Sequence, residues 1–217
     1  MVTIEEGVNR LIEELVYLEI KHDKLRKSTY NPLPLDPISL EDILRRHSIF
    51  HSHFEDMPNW PLGLGSSNHI PLDIVIKEKR HWLFCDVIYT IEYAKAMPSF
   101  SMLDERDKLI LMKNVLLLCT NLTTSFYSFS VKSDVNMHPD GTSPARNSAN
   151  FIGDVDQYMC KIIATLISFQ GSQLMATAIG LIDTLAHQVK RQKEQFLMVG
   201  ILRLRQTTIP LLEQIMD

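Results

Sequence analysis

The stretch IEYAKAMPSFSMLDERDKLILMK, residues 91–113, decides how the chain is read. It opens in an apolar helical run whose one cation, Lys95, stands just before Met97-Pro98. Proline drives the residue before it out of helical backbone, so the run ends at Met97. Beyond Phe100, Asp104 fits an N-cap, with Asp107 three residues on as a variant capping box. The helix it opens runs to about Val131 and is apolar through LILMKNVLLLCTNL, broken only by Lys113, Asn114, Thr120 and Asn121. A helix greasy nearly all round belongs in the middle of a domain. Lys95 lies in a last turn, where a cation complements exposed carbonyls. Ile88 and Ile91 precede it on one side, and Leu109, Met112 and Leu116 supply a facing wall if the second helix folds back. That makes a short apolar trough with a cation at one end. It suits an amphipathic helix with leucine-like anchors, its last carbonyls capped by the lysine. Spacing alone also allows a solvated lysine and leucines that are simply core.

Working outward, residues 3–27 read as the first helix. Ile4, Val8, Leu11, Leu15, Leu18 and Leu25 recur at helical spacing, with acids early and Lys21, Lys24, Arg26 and Lys27 late. STYNPLPLDP (28–37) reads as a linker. Ser39-Leu-Glu-Asp caps a short helix running through Ile43 and Leu44 to about residue 53. Residues 55–71 form a loop; Gly63 and Gly65 follow no strand, which argues against a nucleotide-cradling turn. A long helix runs from about Asp73 to Ala96, with Ile76, Leu83, Val87, Thr90, Ile91 and Ala94 on one face. Residues 133–150 are turn-rich around His138-Pro-Asp-Gly and have room for a small hairpin. Helical patterns follow at about 151–169, 172–190 and 191–217, the last with a kink at Pro210. The expected fold is all-α, six to eight helices, one domain over 1–217.

Composition narrows the function. The chain has 217 residues, 45% hydrophobic, with 22 basic and 26 acidic residues and a net charge of -4. No global basic field favours phosphate-backbone binding. Cys85, Cys119 and Cys160 stand far apart in apolar runs and read as reduced core thiols; three cysteines cannot build a four-cysteine zinc module. No uninterrupted apolar run reaches the roughly 18 residues of a membrane span, and the start does not look like a signal peptide. Asn121-Leu122-Thr123 matches a glycosylation sequon inside a core helix, a chance match. His47 and His51 share a helical face, with His53, Glu55 and Asp56 beyond, yet no H-E-x-x-H is formed and no metal is expected. There is no G-x-S-x-G elbow and no cysteine at an electropositive helix start. A large core without catalytic groups points to binding.

Residues 92–112, E-Y-A-K-x-x-P-x-F-x-x-L-x-x-x-D-x-x-x-L-x, closely resemble the signature of the nuclear hormone receptor ligand-binding domain. That signature spans the end of the family's helix 3, the next loop and the start of its helices 4 and 5. LVYLEIKHDKLRKSTYNP with LEDILRR, and SFYSFSVKSDVNMHPDGTSP, look like the expanded nematode group of these receptors. Leu202-Arg203-Leu204-Arg205 with Leu212-Glu213 resembles the family's helix 10/11. The resemblance is dense over 82–144 and thin over 150–200.

The resemblance implies a three-layer helical sandwich, the ligand-regulated part of a nuclear transcription factor. Full-length members carry a zinc-finger DNA-binding domain, so no direct nucleic-acid contact is expected of this segment. Lys95 matches the helix 3 lysine of the coactivator charge clamp, with Ile91, Lys108, Leu109 and Met112 along or beside the groove. Lys108 replaces the family's glutamine and would make the rim more basic. Pro98, Phe100, Leu103 and Asp107 would fix the helix junction. A lipophilic ligand such as a fatty acid or sterol-like molecule would lie among Phe84, Val87, Thr90, Cys119, Thr123, Phe126 and Phe129. Phe196, Leu197, Leu202 and Leu204 would serve a homo- or heterodimer interface. The family's closing helix 12 has no expected counterpart after Asp217. Agonist-dependent coactivator binding would then be weak, while corepressor helices would retain a groove. If the large aromatic side chains fill the cavity, the same fold would act as an interaction module without ligand.

Overall fold

A reciprocal capping box starts the first helix, α1 (Ile4–Lys27): Thr3 Oγ1 accepts the Glu6 N–H, and the Glu6 carboxylate accepts the Thr3 N–H. This is a computed structural model, and it describes residues 3–32, 38–51, 56–59, 80–133, 135–143, 186–187, 189–198 and 209–216. The apolar stripe expected along α1 is only half used. Leu18 and Leu25 are buried, whereas Ile4, Val8, Leu11 and Leu15 are exposed, so only the C-terminal half docks.

A second capping box, Ser39 with Asp42, opens α2 (Leu40–Arg45). The helix stops well short of residue 53 and is followed by a 3-10 turn, Ile49–His51. The Ile49 N–H, which a continued helix would aim at the fourth carbonyl back, instead donates to Glu92 Oε2 at 2.8 Å.

His81 Nδ1 accepts the Phe84 N–H and starts α3 (Trp82–Ala96), which ends at an extended Met97. The expected continuous helix from Asp73 is corrected: Arg80 and His81 are not helical, because His81 serves as the cap and α3 begins at Trp82, while residues 73–79 lie outside the described residues. Every residue from Phe84 to Glu92 is buried, so α3 has no wet face there. Pro98 opens α4 (Pro98–Ser101), a single turn that drops Phe100 into the core, with Leu103 packed beside it.

Asp104 then caps α5 (Glu105–Ser130), its Oδ1 accepting the Asp107 N–H at 2.7 Å. Asp107 therefore contributes its backbone rather than a junction-pinning carboxylate, which is exposed. Asp104→Ala is expected to lower stability by about 1 kcal/mol in urea unfolding, and Asp107→Ala by less. By length and composition α5 could cross a membrane. Its Met112, Leu116 and Leu117 are instead part of the packed core.

Around His138 the chain makes a tight turn, the Gly141 N–H donating to His138 O and the His138 N–H to Thr142 O, both at 2.9 Å. Gly141 has φ +83, which glycine adopts without strain. No hairpin strand forms among the described residues. Residues 189–198 are helical (α6). The last helix is α7 (Pro210–Met216), which starts at the expected break. The predicted helix at 151–169 lies outside the described residues, as does most of the next.

The main core joins Leu40 and Ile43 of α2, Phe84, Val87, Ile88 and Ile91 of α3, Met112, Leu116 and Leu117 of α5, and Leu211, Leu212, Ile215 and Met216 of α7. Leu18, Leu25, Phe50, Trp82, Cys85 and Tyr89 form a second cluster under α1. Among the described residues there is no strand, only an isolated bridge between Ser28 and Asn59. Buried polar links lock the helices. Arg26 meets Asp86 through Nε–Oδ1 at 2.9 Å and a second nitrogen at 3.3 Å, both side chains 3% exposed. Thr124 donates to the same carboxylate, and Arg80 donates to the carbonyls of Arg26 and Ser28. The Thr90 and Thr120 hydroxyls meet at 3.5 Å between α3 and α5.

Two buried histidines set an acid limit. His138 stacks on Trp82 with centroids 4.7 Å apart, and His22 meets Tyr93 edge-on. Burial pulls both down to about 4; for His138 it outweighs Asp86, 3.9 Å away, so that contact is not an ion pair at neutral pH. Unfolded, each titrates near 6.5. Between those values the unfolded state binds more protons, so stability present above pH 6.5 is lost as pH falls towards 4. Each histidine contributes at most about 1.4 kcal/mol per pH unit in that window. Urea midpoints across this range should fall less steeply for His22→Leu than for the parent chain.

Candidate functional site

Helix α2 lies across apolar side chains of α3, α5 and α7, a seat termed the trough below. Lys95 Nζ donates to Ile43 O at 3.0 Å and to His47 O at 3.4 Å, carbonyls at and just beyond the end of α2. It also pairs with Glu92 Oε1 at 2.8 Å, the two side chains 7% and 5% exposed. The expectation of a solvent-facing clamp lysine is thereby corrected. Its charge is spent inside the molecule, because Glu92, three residues earlier on the same helix face, neutralises it and α2 covers it.

At the opposite end of α2, the Leu40 N–H donates to Gln214 Oε1 of α7 at 2.8 Å. The floor and walls include Ile91 and Met112, both buried, and half-buried Leu109; all three share the core cluster with Leu40, Ile43 and Leu44. Lys108 is half-buried. Its ammonium turns back to Ser101 O at 3.1 Å and staples α5 to the end of α4. Near the trough's edge, Arg45 meets Glu105 at 3.3 Å, an exposed pair of little energetic weight.

The expected ligand pocket is divided. A hollow of about 440 Å³ opens between α1, α3, the α4 turn and α5, and Thr90, Cys119 and Thr123 do line it. Phe84 and Val87 do not; they are packed in the main core. Phe126 is 54% exposed and lines no part of the hollow, and neither does half-buried Phe129. Helix α3 is buried on all sides and so faces two different interiors, which helical spacing alone does not tell apart. The hollow's walls are mostly apolar: Ala94, Met97, Leu103, Leu111, Val115 and Leu122. Beyond Thr90, Cys119 and Thr123, it has polar groups that were not foreseen. Tyr93 Oη donates to Glu19 Oε1 at 2.8 Å, and His22 Nε2 is buried without a hydrogen-bond partner.

Of the two described cysteines, Cys85 is buried, its thiol pushed up to about 12 by desolvation. Cys119 is exposed at the hollow rather than a core thiol. Asn121 of the sequon is buried in a reciprocal pair with Gln192 of α6, each contact 3.0 Å. Phe196, expected at a dimer interface, packs against the core, whereas Leu197 is 61% exposed. Leu202 and Leu204 lie outside the described residues. Among the described residues no cluster of three metal-ligating side chains exists. His47 is exposed, and His53 falls outside them.

Comparison with known proteins bears on the same chain. No family model matches it, and no solved structure matches it. It is 37% identical over 155 residues to nuclear hormone receptor family member nhr-60 of Caenorhabditis elegans, covering 65% of this chain and 35% of that protein. Its relatives are nuclear hormone receptors. Family member nhr-153 is 26% identical over 179 residues (80% of this chain, 41% of the relative), and nhr-154 is 31% identical over 146 residues (65% and 30%). Both are from the same organism. The chain thus spans well under half the length of the curated relatives it matches. Similarity to several nuclear receptors, with an all-helical arrangement free of sheet among the described residues, supports a nuclear-receptor-like fold related to the ligand-binding domain.

Proposed function

We propose that the chain is a one-domain, three-layer helical sandwich, the regulatory part of a nuclear transcription factor that grips leucine-rich coregulator helices in the trough between α3, α5 and α7. The observation that carries this is the pair of end contacts: Lys95 on the last carbonyls of a short helix and Gln214 on its first N–H. A trough that holds one amphipathic helix by its unsatisfied termini and its apolar face has the chemistry to hold another. In this reading α7 acts as the closing element, a role the sequence left without a counterpart. Dimer formation would use the face carrying exposed Leu197. The test is a fluorescent leucine-rich helical peptide titrated into the chain. Saturable binding that protects the amides of residues 88–112 supports the reading. Binding that leaves them unchanged and survives Gln214→Ala at full strength overturns it.

A lipophilic ligand would occupy the hollow between α1, α3 and α5, its apolar body against Val115 and Leu122 and one polar group facing His22 Nε2. The packing of Phe84 and Val87 favours a second reading, an interaction module without ligand. Native mass spectrometry separates the two. Excess mass that disappears in Thr123→Trp supports the ligand, and the bare chain mass supports the module.

A further inference from the structure

Residues 40–44 read Leu-Glu-Asp-Ile-Leu, with apolar side chains at i, i+3 and i+4, the anchor spacing of a helix that lies in a groove. Leu40 and Ile43 are 0% and 3% exposed, and Leu44 packs beside them. Helix α2 is six residues long. A free helix shorter than about 12 residues is marginal in water, so α2 owes its form to its seat. That seat satisfies both of its ends from other helices, Gln214 at the Leu40 N–H and Lys95 at the Ile43 and His47 carbonyls.

We propose that α2 is a built-in occupant of the trough, so that a coregulator helix enters only by displacing residues 38–47. The proposal rests on the coregulator reading and adds its regulation. A tethered occupant acts at a high effective concentration, and an outside helix sees the trough only in the fraction of molecules where α2 has left. Its apparent affinity is lowered by that fraction. Anything that loosens α2 without touching the trough then raises affinity for partners.

The capping box offers such a handle. Ser39 and Asp42 hydrogen-bond each other's backbone N–H on the exposed side of α2, and neither is in the core. The experiment compares the whole chain with its Ser39→Ala/Asp42→Ala variant, using a fluorescent peptide with the same i, i+3, i+4 leucine spacing. Hydrogen–deuterium exchange of residues 41–46 is followed in parallel. The variant should bind about tenfold more tightly, the effect of one lost cap passed through the open fraction. Saturating peptide should also speed exchange of the α2 amides in the parent chain. Equal affinities, or bound peptide with α2 still protected, overturn the occupancy proposal and leave the coregulator reading standing. Absence of binding to both chains, with the α2 amides exchanging freely in the variant, overturns the coregulator reading and the proposal with it.

Discussion

Asp86→Ala is expected to lower unfolding free energy by roughly 3–5 kcal/mol, the cost of leaving a buried cation without its partner. The Arg26 guanidinium would keep its place with no carboxylate opposite and no water to replace it, both side chains being 3% exposed in the native chain. Thr124 would lose its contact with the carboxylate and keep only Thr120 O at 3.0 Å, so the change is felt in α1, α3 and α5 together. Urea unfolding at pH 7 is the measurement. The double change Arg26→Met/Asp86→Leu should recover much of the loss, since an apolar pair of similar volume removes the stranded charge. A single variant that melts like the parent would show that the pair is solvated in practice.

Lys95→Ala should also be costly, roughly 3 kcal/mol, because it strands Glu92 in a buried position. From sequence alone the same change looks like a surface substitution worth under about 0.5 kcal/mol. The geometry reverses that expectation: the ammonium serves Glu92 and two carbonyls of the α2 region, and all would be left short of a donor. Lys95→Met keeps the aliphatic stem, and Lys95→Met/Glu92→Gln removes both charges. A double-mutant cycle over these variants should show coupling above about 1 kcal/mol in urea unfolding. No coupling would mean the two side chains are wet and independent.

Local signals carried most of the legible fold. Ser39 with Asp42, Asp104 and Met97-Pro98 mark helix ends by chemistry confined to four or five residues, and each boundary stands where that chemistry puts it. That Ile91, Leu109 and Met112 pack together beside Lys95 was legible, since they are near neighbours in sequence. The contacts of α2 were not. The Lys95 contacts reach back 48 and 52 residues and the Gln214 contact spans 174, and no periodicity reports separations of that kind. The pocket failed for a different reason. Thr90, Cys119 and Thr123 share the hollow, but Phe84 and Val87, read from the same buried helix, turn into another interior. Where a helix has no wet side, spacing cannot say which side is which. Glu92 was the avoidable omission, since a carboxylate three positions from a lone lysine is visible in the sequence.

The hydroxyl contact of Thr90 with Thr120, and the Asp86 carboxylate shared by Arg26 and Thr124, act as dowels between α3 and α5. Dowels of this sort forbid sliding, because moving one beam a turn along the other would strip them all in a single step. The two long helices therefore behave as a chassis. Among the described residues, the short helices bolted to that chassis, α2 and α7, have more freedom to carry a signal than the frame itself.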